Sequence, residues 1–460
     1  MMDCDLSEHF DGFRSGYEEC VAATPAPLYS YTIPLGKGDL LSIYRCATEQ
    51  AAGGRLLWFS AGPGPHLLGI GAAKAFDLPP SEDRAAKLKQ DWALLTERAV
   101  VRGRSRRGEG PVLMGGFAYD PALEFSGPWS GFSNGFWRLP RLLFAQHPEG
   151  DLSLTLNLVP EPAASASDVW SEVEAELERL TATPPPAPDN PAALATDDGD
   201  LELWRKAVLG ATDELKRGPL QKVTLAREMR VYFDGAVSPD RVLMALTEHK
   251  GEAFVFSFEP GTGAFLGATP RLLLRKDGES LVATCLAGSI PRGSTGEEDD
   301  ALGRSLLSDP KNRREHRLSV EIMAEKLRSM GGNLKSVPDE PSLLKLKDIQ
   351  HLLTVLETEV PGGASLLDYL EGTLYGKAAA LEIPLVRRLE GMNRGLYGGP
   401  IGWLDFAGDG EMAIALRCGL VRGNTAYLYA GCGIISTADP EEEHRETRVK
   451  FRLMRRALER

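Results

Sequence analysis

Hydrophobic and polar residues alternate strictly along Leu152-Ser153-Leu154-Thr155-Leu156-Asn157-Leu158, the period of two that a half-buried strand requires. Apolar runs bounded by turn residues predict further strands over residues 55–60 and 112–119. Where the apolar spacing lengthens, residues 83–101 and 167–180 predict amphipathic helices, the second with Ser167 as its N-cap. The later part of the chain repeats this mixture. Residues 201–217 read as a helix and 222–227 as a strand, and 253–258 with 263–267 form a strand–turn–strand around Pro260-Gly261. A helix over 313–330 is closed by Gly331-Gly332, strands follow at 411–416 and 425–429, and Pro440 opens a last helix rich in Glu and Arg. The irregular alternation predicts an α/β (α+β) protein without a regular βαβ wheel.

One stretch breaks the pattern. Thr183-Pro184-Pro185-Pro186-Ala187-Pro188 is proline-rich, hence extended or irregular, and marks a linker over 181–199 between an N-terminal part, 1–180, and a C-terminal part, 200–460. A chain of 460 residues can bury a large core, as one domain or two. Its formal charge of -13 argues against nucleic acid or an anionic membrane as partner, although a cationic pocket can still sit inside an acidic protein. The opening residues carry no basic n-region and no apolar h-region, so no secretory signal is expected. No apolar run approaches the roughly 18–20 residues of a membrane helix, and a cytoplasmic protein is expected. The 6 cysteines lie far apart without a CxxC pair, which predicts free thiols rather than a zinc site or a disulfide framework.

Three groups of residues could carry chemistry. Glu315 lies near the start of one predicted helix, while Glu443 and Glu446, three apart, share a face of the last one. Carboxylates from two helices can hold Mg²⁺, a hard ion that also takes oxygens from its substrate; the same acids equally complement a helix dipole. Arg417 stands in the apolar run Ala413-Ile414-Ala415-Leu416-Arg417-Cys418, where a charge is either ion-paired or ligand-binding. Gly431-Cys432-Gly433 would let backbone N–H groups approach an anion, or is a plain turn. Lys222 opens a strand; a lysine desolvated beside other cations can act as a general base, and an exposed edge lysine is the alternative. Gly115-Gly116-Phe117-Ala118-Tyr119-Asp120-Pro121 lacks the strand–GxGxxG–helix context of a nucleotide loop and reads as a scaffold turn.

Seven ordered stretches together resemble the chorismate-utilising enzymes, the family of isochorismate, salicylate and anthranilate synthases. They are Lys222-Val223-Thr224-Leu225-Ala226-Arg227, Leu286-Ala287-Gly288-Ser289, Arg313-Arg314-Glu315-His316, Gln350-His351-Leu352-Leu353-Thr354, Arg394-Gly395-Leu396-Tyr397-Gly398-Gly399-Pro400, Ile401-Gly402-Trp403-Leu404-Asp405, and Ala438-Asp439-Pro440 followed by Glu443, Glu446, Thr447 and Lys450. The resemblance covers nearly all of residues 200–460 and is nearest to the isochorismate synthases. It implies a large two-sheet β-sandwich flanked by helices, with chorismate bound in a deep pocket beside one Mg²⁺. Glu315 and Glu446 would be direct metal ligands and Glu443 would act through water. Lys450 and the backbone of Gly431 and Gly433 would hold the ring carboxylate, and Arg417 and Tyr397 the enolpyruvyl carboxylate. Gly288, His351, Thr373, Leu374 and Tyr429 would complete the substrate pocket. Lys222 matches the lysine that activates water, so water rather than ammonia is the expected nucleophile and no glutamine amidotransferase partner is expected. A monomer or weak dimer follows by the same analogy, in menaquinone or siderophore biosynthesis.

Two stretches depart from the family pattern. In Gly267-Ala268-Thr269-Pro270-Arg271 the residue after Thr-Pro is Arg271, where isochorismate-forming relatives carry the glutamate that protonates the departing hydroxyl. An arginine does not give up a proton at any useful pH. Residues 369–376 are closer to the Gly-Thr-Leu or Gly-Thr-Val run of anthranilate and salicylate synthases, with Thr373 resembling the threonine of the latter and Glu371 a candidate substitute acid. The expected reaction is isomerisation of chorismate to isochorismate. Salicylate-type or otherwise diverted chemistry, giving a hydroxybenzoate or another chorismate derivative, is the second reading. The third is a chorismate-binding protein without turnover.

Overall fold

The computed structural model describes residues 6–23, 25–47, 53–161, 163–347, 349–374 and 377–460; for 371, 372, 374, 377 and 378 it describes the backbone alone. Its strands join into one hydrogen-bonded network in which nearly every pairing is antiparallel. Strand Gly135–Gln146 is where the network divides. One edge pairs with His66–Leu78, and the other is shared between Val112–Phe117 and Asp151–Leu158.

From there two limbs run apart. The first passes through Arg55–Phe59, Phe254–Glu259, Ala264–Thr269, Cys418–Arg422 and Thr425–Ile435 to Lys222–Phe233. The second passes from Val112–Phe117 through Pro400–Asp405, Gly410–Ile414, Leu272–Asp277 and Ser280–Pro291 to Ile349–Glu359. Aromatic side chains from both limbs, among them Trp58, Phe256 and Phe265 from the first and Trp403 from the second, form one buried cluster with Phe136. This is the expected sandwich, its two sheets being limbs of a single network. Segments from before and after the proline-rich stretch alternate within it.

Buried Glu411 bolts the limbs together. Its carboxylate accepts from the indole N–H of Trp58 at 2.8 Å and of Trp403 at 3.3 Å, from the Ser60 hydroxyl, and from Arg275 Nε at 3.0 Å. A fully buried carboxylate is stable only when so paired.

Several predicted boundaries move. The helix assigned to 83–101 is Arg84–Thr96, and Val100–Arg102 instead forms a short strand parallel to Tyr29–Lys37, as two adjacent β-branched valines favour. The next helix runs Ala166–Leu180, and its N-cap is Ser165, whose Oγ accepts from Asp168 N at 3.2 Å, rather than Ser167. The proline-rich stretch is not wholly irregular, since Ala193–Asp197 pairs with Lys222–Phe233. Asn190 further ties that stretch down by donating to Leu458 O at 3.2 Å. Among the described residues Cys20, Cys46, Cys285, Cys418 and Cys432 are free thiols, and no helix is long and apolar enough to cross a membrane.

Candidate active site

The far ends of the two limbs meet through helices. Helix Pro310–Ser329, capped by Asp309 and opened by Pro310, packs on Ser280–Pro291; helix Pro440–Leu458, capped by Asp439 and opened by Pro440, packs on Thr425–Ile435. Lys222, first residue of Lys222–Phe233, lies opposite Ile435, and its Nζ donates to Glu315 Oε1 across the gap at 2.8 Å. Gly433 borders the pair. A Cβ there would lie 2.4 Å from Lys222 Cε and 2.7 Å from Glu315 Oε1, so any side chain would push the two apart. What faces Lys222 is therefore a carboxylate, rather than the other cations of one reading or the open solvent of the other.

On the last helix, Glu446 and Lys450 are one turn apart and joined at 2.5 Å, and Lys450 Nζ also donates to Gly431 O at 2.8 Å. Lys450 thus takes up the Gly431 carbonyl. Glu443 is buried, and its pKa is pushed up to about 7, first by burial and then by the Glu446 charge. Burial also works to raise Glu446, but Lys450 and Arg417 outweigh it and hold that carboxylate below the usual range. Lys311, one turn before Glu315 on its helix, reaches to 3.8 Å from Glu443 Oε1. It escaped the sequence reading, although its spacing from Glu315 was a visible signal.

The oxygen donors of Glu315, Glu443 and Glu446 suit Mg²⁺, and a divalent cation would relieve the repulsion that raises Glu443. The expected three-carboxylate cluster is nevertheless not assembled: among the described residues no three His, Cys, Asp or Glu stand close enough to hold a metal ion. The reason is local charge pairing. Lys222 holds Glu315 on one helix, while Lys450 holds Glu446 on the other.

Arg417 is placed by the backbone rather than by a strand. It stands between Gly410–Ile414 and Cys418–Arg422 with φ 50, the one left-handed non-glycine among the described residues, so the expected position inside an apolar strand is corrected. A non-glycine residue held there is strained, and such strain collects at functional sites. Tyr397 and Tyr429 stack at 5.5 Å between ring centroids, and Tyr429 Oη accepts from Trp129 Nε1 at 3.1 Å. Tyr397 is buried, which raises its pKa, with Arg394 and Arg417 acting to lower it.

His351 is buried opposite Ser289, with Nδ1 3.1 Å from Ser289 Oγ and 3.4 Å from the Gly288 carbonyl. Burial, then Arg417 and Lys450, drive its pKa well below the ordinary value, so the ring is neutral at pH 7. Gly288 adopts φ 80 at the bulge between Ala287 and Ser289, facing Asn312, a position that excludes most side chains.

Thr373 directs its hydroxyl proton into its own helix. Its Oγ1 donates to Tyr369 O at 2.8 Å and Leu370 O at 2.9 Å inside helix Leu366–Leu374, the ordinary back-bonding of a threonine within a helix. The side chains of Glu371 and Leu374, on the same helix, lie outside the described ones.

Arg271 sits in the two-residue break between Ala264–Thr269 and Leu272–Asp277, its carbonyl accepting from Ile414 N at 3.0 Å. That bond between the strands holds the residue in register. Its Nε is buried without a hydrogen-bond partner. Burial lowers the pKa of its guanidinium, with Cys285, Glu315 and Glu382 acting the other way, and its own charge acts on Lys326 and His351. Arg271 thus lies within electrostatic reach of Glu315, the partner of Lys222, and of His351.

The family model for chorismate binding enzymes matches residues 16–459. The chain belongs to that family. It is 32% identical to isochorismate synthase MenF of Bacillus subtilis, over 94% of this chain and 94% of that protein. It is 33% identical to the salicylate biosynthesis isochorismate synthase of Pseudomonas aeruginosa, over 82% of this chain and 79% of that one. The solved structure of MenF, the menaquinone-specific isochorismate synthase from Escherichia coli, shares the fold, with a TM-score of 0.77 at 24% identity over 99% of this chain and 100% of the other. This member of the family is isochorismate synthase-like.

Proposed function

We propose that the protein isomerises chorismate to isochorismate, adding water at one ring carbon and releasing the hydroxyl from another. Lys222 carries this reading: it stands at a strand end, fixed to Glu315 at 2.8 Å on the helix whose Lys311 reaches Glu443 of the last helix. In the proposed step Lys222, as the neutral amine once it has lost a proton and released Glu315, takes a proton from the attacking water and becomes the ammonium; a C–O bond forms, the ring double bond shifts, and the allylic hydroxyl departs as hydroxide. Arg417 and the Tyr397 hydroxyl are the groups for one substrate carboxylate. Once Lys222 yields Glu315, the carboxylates of Glu315, Glu443 and Glu446 would be the groups to hold Mg²⁺, which would neutralise the ring carboxylate. Because water is the nucleophile, no ammonia-supplying partner is needed.

Position 271 sets the speed. The departing hydroxyl gets no proton from a guanidinium, and a general acid is commonly worth about 10²–10⁴ in rate. Turnover slower by that order is the expected consequence. The test is incubation with chorismate and Mg²⁺, with products separated by chromatography and identified by mass. Isochorismate, abolished by a chelator, supports the reading; salicylate would mean that loss of pyruvate follows. Chorismate recovered unchanged would overturn it. Binding of Mg²⁺ should also raise the melting temperature, by the equivalent of about 2.7 kcal/mol at a hundred times the dissociation constant.

A further inference from the structure

Alternate residues of a strand point to opposite faces, and the strand that opens at Lys222 sorts its side chains accordingly. Val223 and Leu225 belong to the buried cluster formed with Trp204, Val208 and Leu215 of helix Leu201–Arg217. Lys222, Thr224 and Ala226 therefore share the other face, which is that of the site. At one end of this row Lys222 reaches Glu315. At the other, a Cβ on Gly431, opposite Ala226, would lie 3.1 Å from Tyr397 Oη. Thr224 stands between them, and unlike Val223, Leu225 and Ala226 it is exposed.

Its backbone is fixed from the outer edge of the strand. Ala193–Asp197 covers that edge only from Phe233 to Arg230. Nearer Lys222, side chains take the place of a neighbouring strand. Thr224 N donates to Glu382 Oε1 at 2.9 Å, Thr224 O accepts from Arg394 at 2.7 Å, and Ala226 N donates to Glu390 Oε1 at 2.6 Å. The Thr224 hydroxyl, by contrast, has no hydrogen-bond partner among the described residues.

The register brings that hydroxyl close to the amine. Thr224 is paired with Gly433, and opposed Cβ positions in an antiparallel pair stand about 4.5–5.5 Å apart. A Cβ on Gly433 would itself lie 3.0 Å from Lys222 Nζ. Lys222 Nζ and the Thr224 side chain therefore flank one missing side chain, a span that a single water bridges when each bond is about 2.8 Å. Of the three donors on the Lys222 ammonium, one goes to Glu315 at 2.8 Å and a second faces Ser319 Oγ at 3.5 Å, which leaves the third.

We propose that Thr224 holds the water that Lys222 deprotonates. This assignment rests on the proposed isomerisation and names the group that aims its nucleophile. Of the two protons on that water, one passes to the neutral Lys222 amine, and the other makes a hydrogen bond to Thr224 Oγ1. An oxygen lone pair is then directed at the ring carbon. The proton bonded to Thr224 stays with the oxygen as the new ring hydroxyl, and Thr224 itself neither gains nor loses a proton.

Thr224→Val removes the hydroxyl and keeps the branched shape, whereas Thr224→Ser keeps the hydroxyl. Steady-state turnover of chorismate with Mg²⁺, and crystal structures of the native protein and Thr224→Val, test the assignment. Thr224→Val should lower kcat about five- to tenfold with KM unchanged, the ratio that one hydrogen bond of ordinary net strength sets, and Thr224→Ser should recover most of it. The native crystal should hold an ordered water within hydrogen-bond reach of both Thr224 Oγ1 and Lys222 Nζ, missing from Thr224→Val. Both variants should melt like the native protein, because the residue is exposed and its backbone partners are untouched. No such water in the native crystal, or a Thr224→Val that turns over like the native protein, overturns the assignment. So does a rise in KM at constant kcat, which would mean that the hydroxyl meets the ring ligand instead. A native protein that holds the water, loses it in Thr224→Val and yet leaves chorismate unchanged would count against the reaction and leave the water site standing.

Discussion

Arg271 separates binding from chemistry at the level of one side chain. Its backbone keeps the register of its neighbours, because Ile414 N bonds its carbonyl at 3.0 Å and the Thr269 hydroxyl bonds Ile414 O at 2.6 Å. A different side chain can therefore be exchanged there without moving the strands. Arg271→Glu should raise isochorismate formation by about 10²-fold or more, by restoring a proton donor beside the departing hydroxyl. Chromatographic rates on the two proteins decide it, and a fall in rate would show that arginine is the working group. Lys222→Met tests the other half of the reaction. It should lower turnover by about 10²-fold or more while changing stability by no more than about 1 kcal/mol, because the Lys222–Glu315 pair is partly exposed. Steady-state kinetics with a urea titration reads both, and an unchanged rate would remove Lys222 from the mechanism.

At the scale of elements, the site depends on two helices that approach from different limbs, each started by an Asp cap and a proline. The start at Pro440 was legible in the sequence, as was the spacing of Glu443 and Glu446, whereas the other helix begins at Pro310, three residues before the expected 313. The capping serine at 165 was missed because Ser165 and Ser167 are both good caps, and only the approach of Asp168 N distinguishes them. Loop geometry is likewise held by buried charge. Glu109 accepts from Ser105 N and Arg106 N at 2.8 Å each and lies 3.2 Å from His147 Nε2. Burial alone would raise its pKa, but these partners hold it at about 2, against an ordinary 4.5. Its folded value is below its unfolded one, so its contribution is present above pH 4.5 and is lost as pH falls toward 2. Glu109→Gln should flatten the acid side of a melting temperature against pH profile in that window, and an unaltered acid limb would exclude this role.

For the whole molecule, the decisive fact is that distant segments share one network. Arg55–Phe59 pairs with Phe254–Glu259, and Val112–Phe117 with Pro400–Asp405, so neither side of the proline-rich stretch completes its own layer. Unfolding followed by tryptophan fluorescence and by far-ultraviolet circular dichroism should give one coincident transition. Two separated transitions would show that the limbs are independent. Glu411 is the tie between them, and Glu411→Ala should cost about 3–5 kcal/mol in urea denaturation by stranding Arg275 and two indoles. The sequence by itself determined most element types and the family, and it named Lys222, Glu315, Arg417 and Glu446 as candidates, because periodicity and motif order are local properties of the chain. It could not decide what each charge would face. Lys222 against Glu315, Thr373 bonded back to its own helix, and Arg417 turned left-handed between strands all follow from how the limbs close. Electrostatic partnership falls off within a few ångströms, and only the tertiary structure sets distances that short between residues that far apart in the chain.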